Sequence, residues 1–149
     1  MNEMERRVLG MLLAGEDHLL RLLRDQMHAA VVVRRDFTGV GFSRYLAVPT
    51  DLPRAKSCTR LVLGDLYAEV EGLEHAAGFL LFVADGAVDS LECFTVEDRW
   101  PEAATSRRVD YVHPAAPGSG TWSAPCQLVF APGFITSSDS HGGLHEEPR

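Results

Sequence analysis

Glu92 lies inside the run Leu91-Glu92-Cys93-Phe94, a carboxylate set among strand-forming apolar residues. A carboxylate held away from water acquires a raised pKa and becomes a general acid or base, unless an arginine or backbone donors keep it ionised. Arg44 shares the parity of Phe42, Leu46 and Val48, so one strand would aim it at the same side as that apolar set. In the functional reading Glu92 is the central group of a ligand pocket, Arg44 orients it, and Tyr67 or His75 contacts the ligand or relays a proton. In the structural reading Glu92 and Arg44 form an ion pair, or Glu92 reaches water from an edge strand. Glu69, Glu71, Glu74 and His75 cluster near a strand end, where they either frame a cleft or are ordinary solvated residues.

Other reactive types do not assemble into a recognisable motif. His141-Gly142-Gly143-Leu144-His145 has the histidine spacing of a zinc helix, but it lacks the glutamate beside the first histidine and its glycines disfavour a helix. No metal and no cofactor is therefore expected. Ser43 and Ser90 lack the nucleophile elbow, and the Ser137 to His141 stretch has triad residue types without a scaffold to orient them. Gly39 and Gly41 lack the lysine of a phosphate loop. Cys58, Cys93 and Cys126 are too widely spaced for a zinc knuckle or redox pair, and Cys93 reads as a small buried hydrophobe.

These residues need a scaffold, and hydrophobic periodicity supplies one. Val8, Leu9, Leu12 and Leu13 share one helical face, as do Leu19, Leu20, Leu23 and Met27, with Gly15 dividing the two segments and Glu16-Asp17 capping the second. From Ala30 the preference becomes extended, with a run from Phe42 to Val48 ended by Pro49 and another from Leu61 to Val70. Gly78 to Thr95 is a hairpin about Asp85-Gly86. A two-residue turn sets Ala84 opposite Ala87, Val83 opposite Val88, Leu81 opposite Ser90 and Phe79 opposite Glu92. The expected fold is α+β, an N-terminal helical segment packed on a three- to four-stranded antiparallel sheet. Residues 1–113 form the domain, and 114–149, rich in proline, glycine and serine, form a partly flexible extension.

The chain has 149 residues with 46% hydrophobic content, enough for one ordinary core. Its net charge of -7 gives no general attraction to phosphate backbones or anionic lipid, so neither nucleic acid nor membrane is an expected partner. The start, MNEMERR, fits neither a secretory signal nor a span, which makes a cytoplasmic location the expectation.

Phe37-Thr38-Gly39-Val40-Gly41-Phe42, Gly64-Asp65-Leu66-Tyr67-Ala68-Glu69 and Glu71-Gly72-Leu73-Glu74-His75-Ala76-Ala77-Gly78-Phe79, with DGAVDSLECFT and Trp100-Pro101, resemble a family of small uncharacterised bacterial α+β proteins. The resemblance spans roughly residues 8 to 101. It implies helices followed by an antiparallel sheet and assigns no activity. Its members often carry glycine after the last glutamate, where this chain has Cys93. The leading functional expectation is a non-enzymatic protein-interaction or accessory domain, such as an immunity-like acidic protein that masks a partner, acting with a protein partner or as a small homo-oligomer. The alternative is a small-molecule-binding protein or enzyme that uses the carboxylate pocket.

Overall fold

The computed structural model describes residues 1–56, 59–102 and 104–111. Two helices, α1 (Glu3–Leu12) and α2 (His18–Ala29), precede six strands: β1 (Val31–Phe37), β2 (Gly41–Ala47), β3 (Arg60–Val70), β4 (Ala77–Ala84), β5 (Ala87–Phe94) and β6 (Ser106–Tyr111). All pairings are antiparallel, in the order β1-β2-β5-β4-β3-β6. The α+β architecture matches expectation, and the sheet is larger than the three or four strands expected. The hairpin β1–β2 docks on β5, while β6 adds to β3 from a stretch with little strand signal. Its two arginines and an aspartate give Ser106–Tyr111 the look of solvated surface, and Val109 is its buried anchor. The expected extension, 114–149, lies outside the described residues. No described helix is long and apolar enough to cross a membrane.

Both helices begin where their caps dictate. Asn2 and Glu5 form a reciprocal capping box on α1, and the Asp17 carboxylate accepts the Leu19 N–H on α2. Gly15 separates them at φ 125°, a conformation that favours glycine. Arg24 then donates to the carbonyls of Leu13 and Gly15, satisfying the end of α1 from the side of α2. The apolar stripes of both helices cover one face of the sheet, against Phe42, Leu63, Phe79, Leu81, Val83 and Leu91. Truncating a fully buried leucine in such a layer costs about 2–5 kcal/mol.

The β4–β5 turn has positive φ at both Asp85 (48°) and Gly86 (73°), the primed geometry that Asp-Gly favours. The first two expected pairs, Ala84 with Ala87 and Val83 with Val88, are present. A β-bulge then intervenes. Asp89 takes the extra position on the bulged strand, so Phe82 faces Ser90, Leu81 faces Leu91, Leu80 faces Glu92 and Phe79 faces Cys93. The one-residue slip puts Leu91 and Cys93 in the core with Phe79 and Leu81, and turns Glu92 away from it.

Candidate protein-interaction surface

Among the described residues, the sequence-proposed pocket does not assemble. Arg44, on β2, faces the helices, and its guanidinium lies 2.7 Å from Glu5. Glu92 faces Ser43 across β2 and Leu80 across β4, on the helix-free side of the sheet and half-buried. An expected Arg44–Glu92 pair is thereby replaced by Arg44–Glu5. Residues on neighbouring strands share a face when they sit opposite each other, and Arg44 is one residue out of step with Glu92. Tyr67 shares the helix-free face but occupies another cross-strand row, opposite Gly78 and Asp110. His75 lies in the β3–β4 turn, at the end of the sheet.

His75 does acquire a partner that the sequence did not suggest. Asp98 accepts the backbone N–H of His75 at 2.8 Å and lies 3.3 Å from its ring Nδ1. The His75 N–H holds the Asp98 carboxyl below the usual aspartate range, with smaller help from the ring and from the Glu74 N–H. Glu74, His75 and Asp98 are donors of the type that ligate divalent ions, with their ligand atoms within 4.8 Å of one another. Glu74 and His75 are exposed and Asp98 is half-buried, and the hydrogen bonds already account for their arrangement.

Cys93 is buried, and desolvation, reinforced by Glu5, raises its thiol pKa far above the ordinary value. It is a core residue rather than a nucleophile, as its strand setting suggested. A groove of about 610 Å³ runs between the start of α2 and the loop after β2, bordered by His18, Leu22, Pro53, Arg54 and Lys56. None of Arg44, Tyr67, His75 and Glu92 lines it.

The unusual feature of the surface is the end of the sheet formed by β1, β2 and β5. Phe37 is 63% exposed, Val40 45%, Phe94 42% and Val96 64%. These large apolar side chains stand on a backbone held by hydrogen bonds. Thr38 N–H donates to Gly41, Thr95 N–H to Val40 at 2.8 Å, and Trp100 N–H to Gly39 at 2.9 Å. The buried Thr95 hydroxyl adds a contact to the Asp98 carbonyl, and Trp100 packs edge-on against Phe42 with ring centroids 5.3 Å apart. Beside Val96, Glu97 has φ 73°, a left-handed conformation that costs a non-glycine residue about 1–2 kcal/mol.

Phe94 has a specific seat. It opposes Gly41 on one side and Gly78 on the other, and its ring occupies the space a side chain at Gly78 would need: an added Cβ would lie 2.5 Å from the ring. The tip of the ring therefore sits over Gly78 of β4, yet the side chain keeps much of its surface in water. Phe37, opposite Phe42, stands on the helix side of this sheet end and Phe94, opposite Gly41, on the helix-free side, so a partner that covers both caps the end of the sheet. Side chains on a rigid backbone lose little freedom on being covered. Compared with known proteins, the chain matches no family model, no curated protein and no solved structure.

Proposed function

We propose that this chain is a non-enzymatic protein-interaction domain that covers a partner with the β1–β2–β5 end of its sheet. The observation that carries this reading is the exposure of Phe37, Val40, Phe94 and Val96 on a backbone fixed by the Gly39, Val40 and Thr95 hydrogen bonds. Apolar side chains on both sides of a sheet end exclude water from an interface that caps it, while surrounding polar groups set the orientation. The net charge of -7 selects for a basic partner surface and speeds the encounter with it. An acidic masking protein of the immunity type fits that chemistry. The alternative reading, a ligand pocket around Glu92, draws no support from a geometry in which Arg44 and Glu92 occupy opposite faces.

A photo-cross-linking side chain at Val96, in cells that produce the protein, tests the proposal. It should trap one defined partner, whereas the same group at Arg7, on the exposed side of α1, should not. The double substitution Phe37→Asp/Val96→Asp should abolish capture and leave the unfolding midpoint nearly unchanged, because both side chains are already in water. Failure to trap a specific protein, together with turnover of a defined metabolite by the purified chain, rejects the proposal.

A further inference from the structure

Strand β1 is the sheet's outer edge: among the described residues no strand pairs with its far side. Every residue of it except Asp36 is exposed, including Val33 at 61% and Phe37 at 63%. An edge of this kind presents unpaired backbone N–H and C=O groups that accept another strand. A bulge with Val33 as its extra residue interrupts the register, leaving Arg34 to Phe37 as the segment available for regular pairing.

We infer that this segment pairs with the same segment of a second copy, antiparallel about a two-fold axis, giving a continuous twelve-stranded sheet from two six-stranded ones. A dyad perpendicular to the sheet keeps the helices of both copies on one side, so each residue faces one of its own parity and one residue faces itself. Three charged residues of the segment offer centres. Centring on Arg34 sets two arginines together and opposes Asp36 with the partner's Val32. Centring on Asp36 sets two carboxylates together. Centring on Arg35 places Arg34 opposite the partner's Asp36, twice by symmetry, and brings Phe37 to the partner's bulge at Val33.

The last register is self-complementary in charge. Arg34 and Asp36 already lie 3.1 Å apart on the helix-free face, so pairing closes a ring of four alternating charges. The axis residue, Arg35, lies on the helix side, where Glu5 stands 3.7 Å from it and the Phe37 ring stacks beneath its guanidinium at 4.5 Å. Glu5 is shared with Arg44 at 2.7 Å, so it offsets only part of the repulsion between the two Arg35 groups, and the Arg34–Asp36 ring carries the attraction. The short segment and its bulge limit the contact, so the dimer is reversible rather than obligate. This pairing uses the side edge of β1; Phe37 borders both surfaces, whereas Arg34 and Asp36, whose charges define the register, lie outside the end of the sheet that docks another protein.

Sedimentation of the full chain over a concentration series tests the register. The wild type should show a monomer–dimer equilibrium. Asp36→Arg, which sets Arg34 against an arginine on both sides of the axis, should weaken dimerisation by about tenfold or more. Exchanging the charges, Arg34→Asp/Asp36→Arg, restores complementarity and should recover the dimer. Both side chains are largely solvent-exposed, and circular dichroism checks that the variants remain folded. A wild type that stays monomeric throughout, a dimer indifferent to Asp36→Arg, or a charge-exchanged variant that fails to recover would each overturn the inference.

Discussion

Glu5 fastens α1 to the sheet through Arg44, its Oε1 lying 2.7 Å from the Arg44 guanidinium with no part of Glu5 open to solvent. Its other oxygen accepts the Asn2 N–H and completes the helix cap. One carboxylate thus serves the helix terminus and the helix-to-sheet contact. The arrangement is not fully satisfied, since among the described residues Arg44 Nε is buried without a hydrogen-bond partner. Removing one member of a buried pair strands the other's charge, so Arg44→Met should destabilise the domain by about 3 kcal/mol, with Arg35 at 3.7 Å limiting the loss. Adding Glu5→Gln keeps an acceptor for Asn2 and removes the stranded charge. The double variant should recover much of the loss in denaturant unfolding; strictly additive losses would show that the two residues act independently.

Gln26 does comparable work at the opposite end of the helix layer. Its buried amide donates to the carbonyls of Pro53 and Gly86 and accepts the Val88 N–H, tying α2 to the β4–β5 turn and to the loop after β2. Gly86 also receives the Ala55 N–H, so loss of Gln26 orphans chiefly Pro53 and Val88. Gln26→Leu should therefore cost about 2–4 kcal/mol despite its apolar gain. A loss below about 0.5 kcal/mol would mean that water replaces the amide.

The helices, their break at Gly15, most of the strands and the primed turn were legible because each follows from local spacing or a local residue preference. The faces of β5 were not, because the bulge at Asp89 reverses the parity of every residue beyond it. That one local irregularity exchanges Leu91 for Glu92 at the core. Arg44 has an acidic partner of a different origin: Glu5 is 39 positions away in the chain, on a helix, and no strand register could reveal it. Asn2 and Glu5 do carry the capping-box spacing in the sequence, which marks Glu5 as engaged without naming Arg44. Gln26 and Asp98 depend on tertiary neighbours that leave no local pattern. The exposed end of the sheet was equally hidden, since Phe37, Val40, Phe94 and Val96 resemble core residues until the strand order places them.

Asp98 gives the domain a defined response to acid. Its carboxyl is held below the usual aspartate value of 3.8, first by the His75 backbone N–H, so the folded state binds this proton less readily than the unfolded chain. The resulting stabilisation is fully present above the unfolded value and is lost as pH falls through the lower folded value. Asp98→Asn should reduce stability at neutral pH, and the gap from wild type should narrow below about pH 4. Unfolding measured from pH 7 to pH 2.5 checks this; a gap that widens in acid reverses the sign and removes the assignment.

Leu91 and Glu92 are neighbours in sequence with opposite consequences for stability. Leu91 is fully buried opposite Leu81, so Leu91→Ala should cost about 2–5 kcal/mol through lost contacts and a residual cavity. Glu92 stands between Ser43 and Leu80 on the helix-free face, half-buried and on the side away from Arg44. Glu92→Gln preserves its shape and strands no buried cation, so stability should change by less than about 0.5 kcal/mol between pH 5 and pH 8. Had the β5 register continued without the Asp89 bulge, the two costs would be exchanged. Chemical denaturation of both variants therefore reads the bulge directly: a large loss from Glu92→Gln beside a small one from Leu91→Ala would place Glu92 on the core face and refute the register.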